Sequence, residues 1–332
     1  MDDILKAPFT YFGGKRKAAE IVWPRFGEVL NYVEPFCGSL AMLLGSPDGD
    51  RTETVNDMDG FIVNFWRAIK ADPEAVAHWA DYPVIEADLE ARHAWLFNRA
   101  ERLRWCLEDP DWFDAKIAGW WVWGVCAWIG SGWCVGDGPH QSNGAHFFKG
   151  EPGLGITRRL SSFGNTGRGI KRQLPHLGDA GGGINRQLPA EDMTRLDFIL
   201  DWFNRLSARL RDVRVACGDW KRITTRSVTT THGLTAVFLD PPYDSKDIDR
   251  TCYAHDSNVA KEVEVWCLEN GSNDQLRVAM CGYDGDYTLP GWDCVMGKAG
   301  SSGFANTKAA DSRERIWFSP HCLGLNTTNY LL

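Results

Sequence analysis

The apolar run Thr235-Ala236-Val237-Phe238-Leu239 ends in Asp240-Pro241-Pro242-Tyr243, and this junction constrains the chain more than any other. The run alternates too little for an amphipathic helix and predicts a fully buried strand. Two successive prolines remove amide donors and keep the chain extended where the strand stops. A carboxylate, a backbone carbonyl and an aromatic ring are thereby held together at a strand's carboxyl end, where open α/β sheets bind ligands. An amino group on a planar base suits those three parts: two acceptors for its N–H protons and a ring to stack on. An ordinary strand exit with a capping Asp would read the same, so other segments have to decide.

Four do so. Pro8-Phe9-Thr10-Tyr11-Phe12-Gly13-Gly14-Lys15 is a glycine turn followed by a lysine. Tyr32-Val33-Glu34-Pro35-Phe36-Cys37-Gly38-Ser39-Leu40-Ala41 predicts a strand, a small-residue turn and a helical run from Leu40 to Leu44. Thr54-Val55-Asn56-Asp57 is a short strand ending in an acid, with a helix from Phe61 to Lys70 behind it. Val213 to Cys217 is another strand, followed by Gly218-Asp219-Trp220.

In this order the five segments resemble the Dam-like family of S-adenosylmethionine-dependent DNA adenine methyltransferases, over roughly residues 8–70 and 195–320. The resemblance implies an α/β Rossmann-like methyltransferase fold: a mixed, mostly parallel sheet with helices on both faces and a helical, loop-rich target-recognition insertion. It implies a catalytic domain of residues 1–72 and 195–332 and an insertion of residues 73–194. It implies S-adenosylmethionine as cofactor and DNA, double-stranded first, as partner. Around the cofactor it places Tyr11, Lys15, Glu34, Phe36, Gly38, Ser39, Asp57, Asp219 and Asp240. The Gly38 turn would bring backbone amides to the cofactor's carboxylate. Asp57 would take the ribose hydroxyls, as the acid does in dinucleotide folds. Asp219 would accept from the adenine amine, with Trp220 packed on that ring. One departure stands out: the family's second glycine in the turn is here Leu40.

The same resemblance makes Asp240, Pro241, Pro242 and Tyr243 the catalytic group. Hydrogen bonds from the target amine to the Asp240 carboxylate and the Pro241 carbonyl would free its delocalised lone pair. Tyr243 would stack on the base, flipped from its duplex. A cytosine-N4 methyltransferase is the nearest alternative, although such enzymes more often carry Ser where Asp240 stands. A non-catalytic DNA- or cofactor-binding descendant, and RNA or single-stranded DNA as substrate, are further alternatives.

The middle of the chain has a different texture. Leu89, His93, Leu96, Ala100, Leu103 and Leu107 recur at helical spacing and predict one helix from Glu86 to Leu107. A second helix is expected from Asp111 to Ile129, dense in tryptophan that reads first as core. From Gly130 to Pro189 the composition turns to Gly, Arg, Ser and Asn, with a near-repeat at Gly155-Ile156, Gly169-Ile170 and Gly183-Ile184. Arg158, Arg159, Arg168, Lys171, Arg172 and Arg186 lie there almost without acidic neighbours. A segment of this kind is expected to be mobile until it orders on DNA phosphates. Further on, helices are expected from Met193 to Arg211 and Asn258 to Leu268, and strands at Leu276 to Cys281 and Arg315 to Phe318.

With 332 residues, 44% of them hydrophobic, the chain can bury a large core plus an insertion. A formal charge of −8 argues against coating nucleic acid through bulk charge and leaves a local basic stripe as the means of contact. Ten cysteines without a C-x-x-C pair give no zinc spacing, and no metal is expected. The apolar stretch Ile117 to Ile129 falls short of the ~20 residues that cross a bilayer. With no basic-then-apolar leader at the N-terminus, a cytoplasmic protein of a bacterial or phage-infected cell is expected. A monomer is expected, with a dimer as the alternative.

Overall fold

The computed structural model describes residues 5–9, 15–109, 111–128, 133–134, 193–242, 259–297 and 313–324. Among them, seven strands form one sheet in the order β3-β2-β1-β4-β5-β7-β6. These are β1 Asn31–Glu34, β2 Thr52–Asp57, β3 Arg214–Cys217, β4 Thr235–Leu239, β5 Leu276–Tyr283, β6 Asp293–Met296 and β7 Glu314–Phe318. The first five run parallel, and β7 pairs antiparallel with both β5 and β6. Together with its flanking helices this is the α/β Rossmann-like methyltransferase fold. Strand order reverses between β1 and β4, so the chain leaves these neighbours in opposite directions and opens a crevice at their carboxyl ends.

β4 is buried along its whole length, as a non-alternating apolar run requires. Beside it β1 is also fully buried, including the polar Asn31 and Glu34. Helix α1 (Arg16–Phe26) covers the first strands with Ala18, Ala19, Val22, Trp23 and Phe26. After β1 come the one-turn helix α2 (Ala41–Leu44) and, after β2, helix α3 (Gly60–Ala71). The Asp59 carboxylate caps α3 by accepting from the Phe61 amide.

Helix α4 (Pro73–Ala80) was not among the expected elements, although Asp72 before Pro73 is a start signal. The single helix expected from Glu86 to Leu107 is two helices, α5 (Glu86–Phe97) and α6 (Ala100–Cys106). The chain turns at Asn98 and Arg99, which lets Leu103 and Leu107 pack over Gly60. A Cβ there would come within 3.3 Å of Leu107. Helix α7 (Ala115–Ala127) buries Trp121 and Trp123, and Trp133 covers Gly124, where any Cβ would collide with its ring. The tryptophans of this helix are therefore core, with Trp120 and Trp128 partly covered at its margin. Helices α4 to α7 share one apolar cluster with α3 and with α8 (Arg195–Leu210), whose Ile199, Phe203, Leu206 and Leu210 face inward.

Helix α9 (Val259–Asn270) packs on the other face of the sheet, burying Val263 and Cys267 against β4 and β5. β6 was missed in the sequence because it is a short, mostly exposed edge strand without an apolar run.

Candidate functional site

Three strand exits on one side of the crevice are tied by a side chain that the motif reading had passed over. Asn56, buried at the end of β2, donates from Nδ2 to the Pro35 carbonyl at 3.0 Å and to the Gly218 carbonyl at 2.9 Å. Backbone bonds from Cys37 to Asn56 and from Gly218 to Asp57 complete the link. The loops after β1, β2 and β3 are thereby set at one height before any ligand arrives.

The Gly38 turn is latched within the protein. Its amide donates to Asp57 Oδ2 at 2.9 Å, and its carbonyl accepts from Trp66 Nε1 at 2.9 Å. This corrects the expectation that the Gly38 amide faces the cofactor's carboxylate: the Asp57 carboxylate already takes it. Leu40, in place of the expected glycine, takes the same kind of backbone a glycine would, with φ of 56° and ψ of 24°. Left-handed backbone is unfavourable for a leucine, and full burial of its side chain offsets that cost. Ser39 is buried between them.

Asp57 receives the Asp59 amide on its other oxygen, at 2.9 Å. Burial of the carboxylate, helped by the negative charge of Asp59, pushes its pKa up to about 6 against the pull of these amides. Glu34 is buried at 2% exposure and accepts from the Tyr32 hydroxyl at 2.9 Å. Burial is the main cause that lifts its pKa to about 8, and the charge of Asp240 adds to it. A carboxyl in that state is neutral at pH 7 and ionises when a cation is brought to it.

Asp219 is exposed and caps a 3₁₀ turn, accepting from the Lys221 amide at 2.8 Å. Trp220 is buried and lies 6.0 Å from Phe36, ring centre to ring centre. Its Nε1 is buried without a hydrogen-bond partner among the described residues. Phe36, Trp220 and the acids Glu34, Asp57 and Asp219 thus line adjacent strand ends. An apolar ring pair and three acids match an adenine, a ribose diol and an ammonium, and so fit S-adenosylmethionine.

Across the crevice, Asp240 leaves β4 partly exposed, with Pro241 buried and Pro242 half-buried behind it. Lys15, at the start of α1, is buried rather than on the surface. Its Nζ stands 3.3 Å from Asp240 Oδ1 and 2.6 Å from Glu314 Oε1. Burial alone would favour the neutral amine, but the carboxylates of Asp240 and Glu314 outweigh it and raise the lysine above its ordinary pKa. No spacing in the sequence pointed to Glu314. It enters because antiparallel β7 starts opposite Tyr283, beyond the end of β4.

The structure therefore brings Lys15, Glu314 and Asp240 into one electrostatic group, and Glu34, Gly38, Asp57 and the Phe36–Trp220 pair into its neighbour, with Glu34 close enough to Asp240 to feel its charge. Tyr11, Tyr243, Arg158, Arg159, Arg168, Lys171, Arg172 and Arg186 lie outside the described residues. Among the described residues no cluster of His, Cys, Asp or Glu could hold a metal, and no helix is long and apolar enough to cross a membrane.

Residues 11–104 match the family model of D12 class N6 adenine-specific DNA methyltransferases. The match spans the Gly38 turn and Asp57 but ends long before Asp240. No curated protein matches the chain.

Proposed function

We infer that this chain is a DNA adenine-N6 methyltransferase that binds S-adenosylmethionine at the exits of β1 to β3 and the target adenine beside Asp240, a reading supported by the family match over residues 11–104. Members of such a methyltransferase family generally use this cofactor, and DNA is their substrate. The observation that carries the reading is Asp240 at the carboxyl end of β4, across the topological switch point from the Gly38 turn. The family match favours adenine over cytosine.

In this proposal Glu34 receives the cofactor's ammonium, Asp57 the ribose hydroxyls, and Phe36 with Trp220 the adenine. Asp57 can do so while holding Gly38, because each carboxylate oxygen accepts more than one hydrogen bond. When bound, S-adenosylmethionine supplies a methyl group made electrophilic by its sulfonium. The Asp240 carboxylate and the Pro241 carbonyl accept the two protons of the target amine. That pulls nitrogen toward the pyramidal form in which its lone pair would form the N–CH3 bond as the S–CH3 bond breaks. The proton that N6 then sheds would leave by way of the partly exposed Asp240 carboxylate to water. Positioning and electrostatics then account for most of the acceleration. Tyr243 serves as the stacking ring for the flipped base, whose extraction costs a few kcal/mol. Residues 1–72 and 195–332 act as the catalytic part. Residues 73–194 act as the target-recognition insertion, with Arg158, Arg159, Arg168, Lys171, Arg172 and Arg186 on the DNA phosphates.

Incubating the protein with double-stranded DNA and isotope-labelled cofactor, then analysing nucleosides by mass spectrometry, tests the reading. Label in N6-methyladenine is the expected result. Label in N4-methylcytosine, or in no base, would refute it.

A further inference from the structure

One buried charge has no part in the mechanism above. Glu314 sits at the start of β7, which pairs with β5 and β6, and it binds the lysine that faces Asp240. Resting on the functional reading, we propose that Glu314 is a positioning residue for methyl transfer: it holds Lys15 off Asp240, so that the carboxylate keeps its charge for the target amine.

Lys15 Nζ lies 2.6 Å from Glu314 Oε1 but 3.3 Å from Asp240 Oδ1. The side chains of Lys15, Glu314 and Asp240 are 7%, 10% and 20% exposed, so water screens their attraction weakly. One ammonium between two carboxylates leaves the group with a surplus negative charge, and the shorter contact draws the cation toward Glu314. A buried ammonium that lost Glu314 would be drawn closer to Asp240, the carboxylate already 3.3 Å away. Its gain would be the target amine's loss, because a carboxylate neutralised by a tight ion pair is a weaker acceptor.

The fold also makes room for this residue. At Gly297, beside the start of β7, a Cβ would sit 3.0 Å from Glu314 Cγ and 3.3 Å from its Cβ. The Gly297 amide donates to the Glu314 carbonyl at 2.9 Å, which fixes the backbone from which the side chain reaches Lys15.

Glu314→Gln, Lys15→Met and the double variant test this, with single-turnover methylation of adenine in DNA as readout. Calorimetry with S-adenosylhomocysteine, the demethylated cofactor product, monitors the pocket. Glutamine keeps the size of Glu314 and a carbonyl for Lys15 and removes only the charge. Glu314→Gln is expected to slow transfer about tenfold or more while the product's Kd stays within about twofold. The double variant is expected to be faster than Glu314→Gln, since no ammonium remains to close on Asp240. A merely structural role would make the double variant at least as slow as the slower single. Should Glu314→Gln fail to fold, Glu314→Asp serves instead: it keeps the charge at a shorter reach and is expected to retain transfer within about threefold of wild type. An unaffected Glu314→Gln, a double variant slower than both singles, or a folded but inactive Glu314→Asp would overturn the proposal. Wild-type protein that methylates no adenine would instead defeat the functional reading itself.

Discussion

At the ends of β1 and β2 the half-buried Asp57 and the buried Glu34 are held by neutral donors: Asp57 by two backbone amides and Glu34 by a phenol. At the ends of β4 and β7 the acids Asp240 and Glu314 are held by a lysine. Neutral donors do not repay the cost of burying a charge, so Asp57 and Glu34 titrate upward, to about 6 and about 8. A lysine does repay it, through ion pairs with both carboxylates. The two sets of acids divide the labour of the proposed mechanism. One half of the crevice offers acids that a cationic ligand can stabilise, and the other half presents an ion-paired carboxylate to a neutral amine.

The largest effect that could break this division comes from Asp240→Ala. Transfer is expected to fall by ~10²-fold or more, because a positioned acceptor for the reacting amine is lost. The Kd for the cofactor product should stay within several-fold. Equal damage to binding and transfer would mean that the two halves act as one site.

Asp57→Ala is the converse. Cofactor affinity is expected to drop by roughly 1.5–3 kcal/mol, the worth of a hydrogen bond to a charged group. At saturating cofactor the transfer step should survive, and calorimetry beside single-turnover kinetics separates the two. An unchanged Kd would leave Asp57 only its observed task, the latch on Gly38.

The raised pKa values of Asp57 and Glu34 make stability depend on pH. Between pH 3.8 and about 6 the folded state keeps a proton on Asp57 that the unfolded chain has lost. The same holds for Glu34 between pH 4.5 and about 8. Stability gained from these protons is complete below the unfolded values and is lost as pH rises through the window. Thermal denaturation is therefore expected to show a falling Tm from about pH 6 to about 8, and Glu34→Gln should flatten that fall. A slope that survives in Glu34→Gln would assign it to another group.

The smallest effect on transfer is expected from Trp66→Phe, which removes the indole N–H from the Gly38 carbonyl and leaves a gap in the core. Loss of roughly 1–3 kcal/mol in denaturant unfolding is the expected cost, hydrogen bond and cavity together. A slight weakening of cofactor binding, with transfer untouched, would fit a latch that belongs to the cofactor half alone.

What the sequence determined by itself was local and periodic. The apolar run into Asp240 had to be a buried strand, and Asp57 had to end another, because strand burial and proline chemistry are written in adjacent residues. The order of the motifs then led to the correct sheet and to the family that residues 11–104 match. The tryptophans of α7 were legible as core for the same reason: large apolar rings at helical spacing have to be covered. The break between α5 and α6 was not legible, since it answers to packing over Gly60 rather than to the local pattern of Leu and Ala.

The charges were decided only by the tertiary structure. Lys15 and Glu314 meet across nearly the whole chain, brought together by an antiparallel strand whose register no local pattern encodes. Asn56 looked like the neighbour of an acid and is instead the tie between three loops. Whether a carboxylate is a ligand, a latch or a counter-ion depends on desolvation and on which donors lie within 3 Å or so of it. Those distances are set by residues far apart in sequence, so the amino-acid types could name the acids of this site but not divide the work among them.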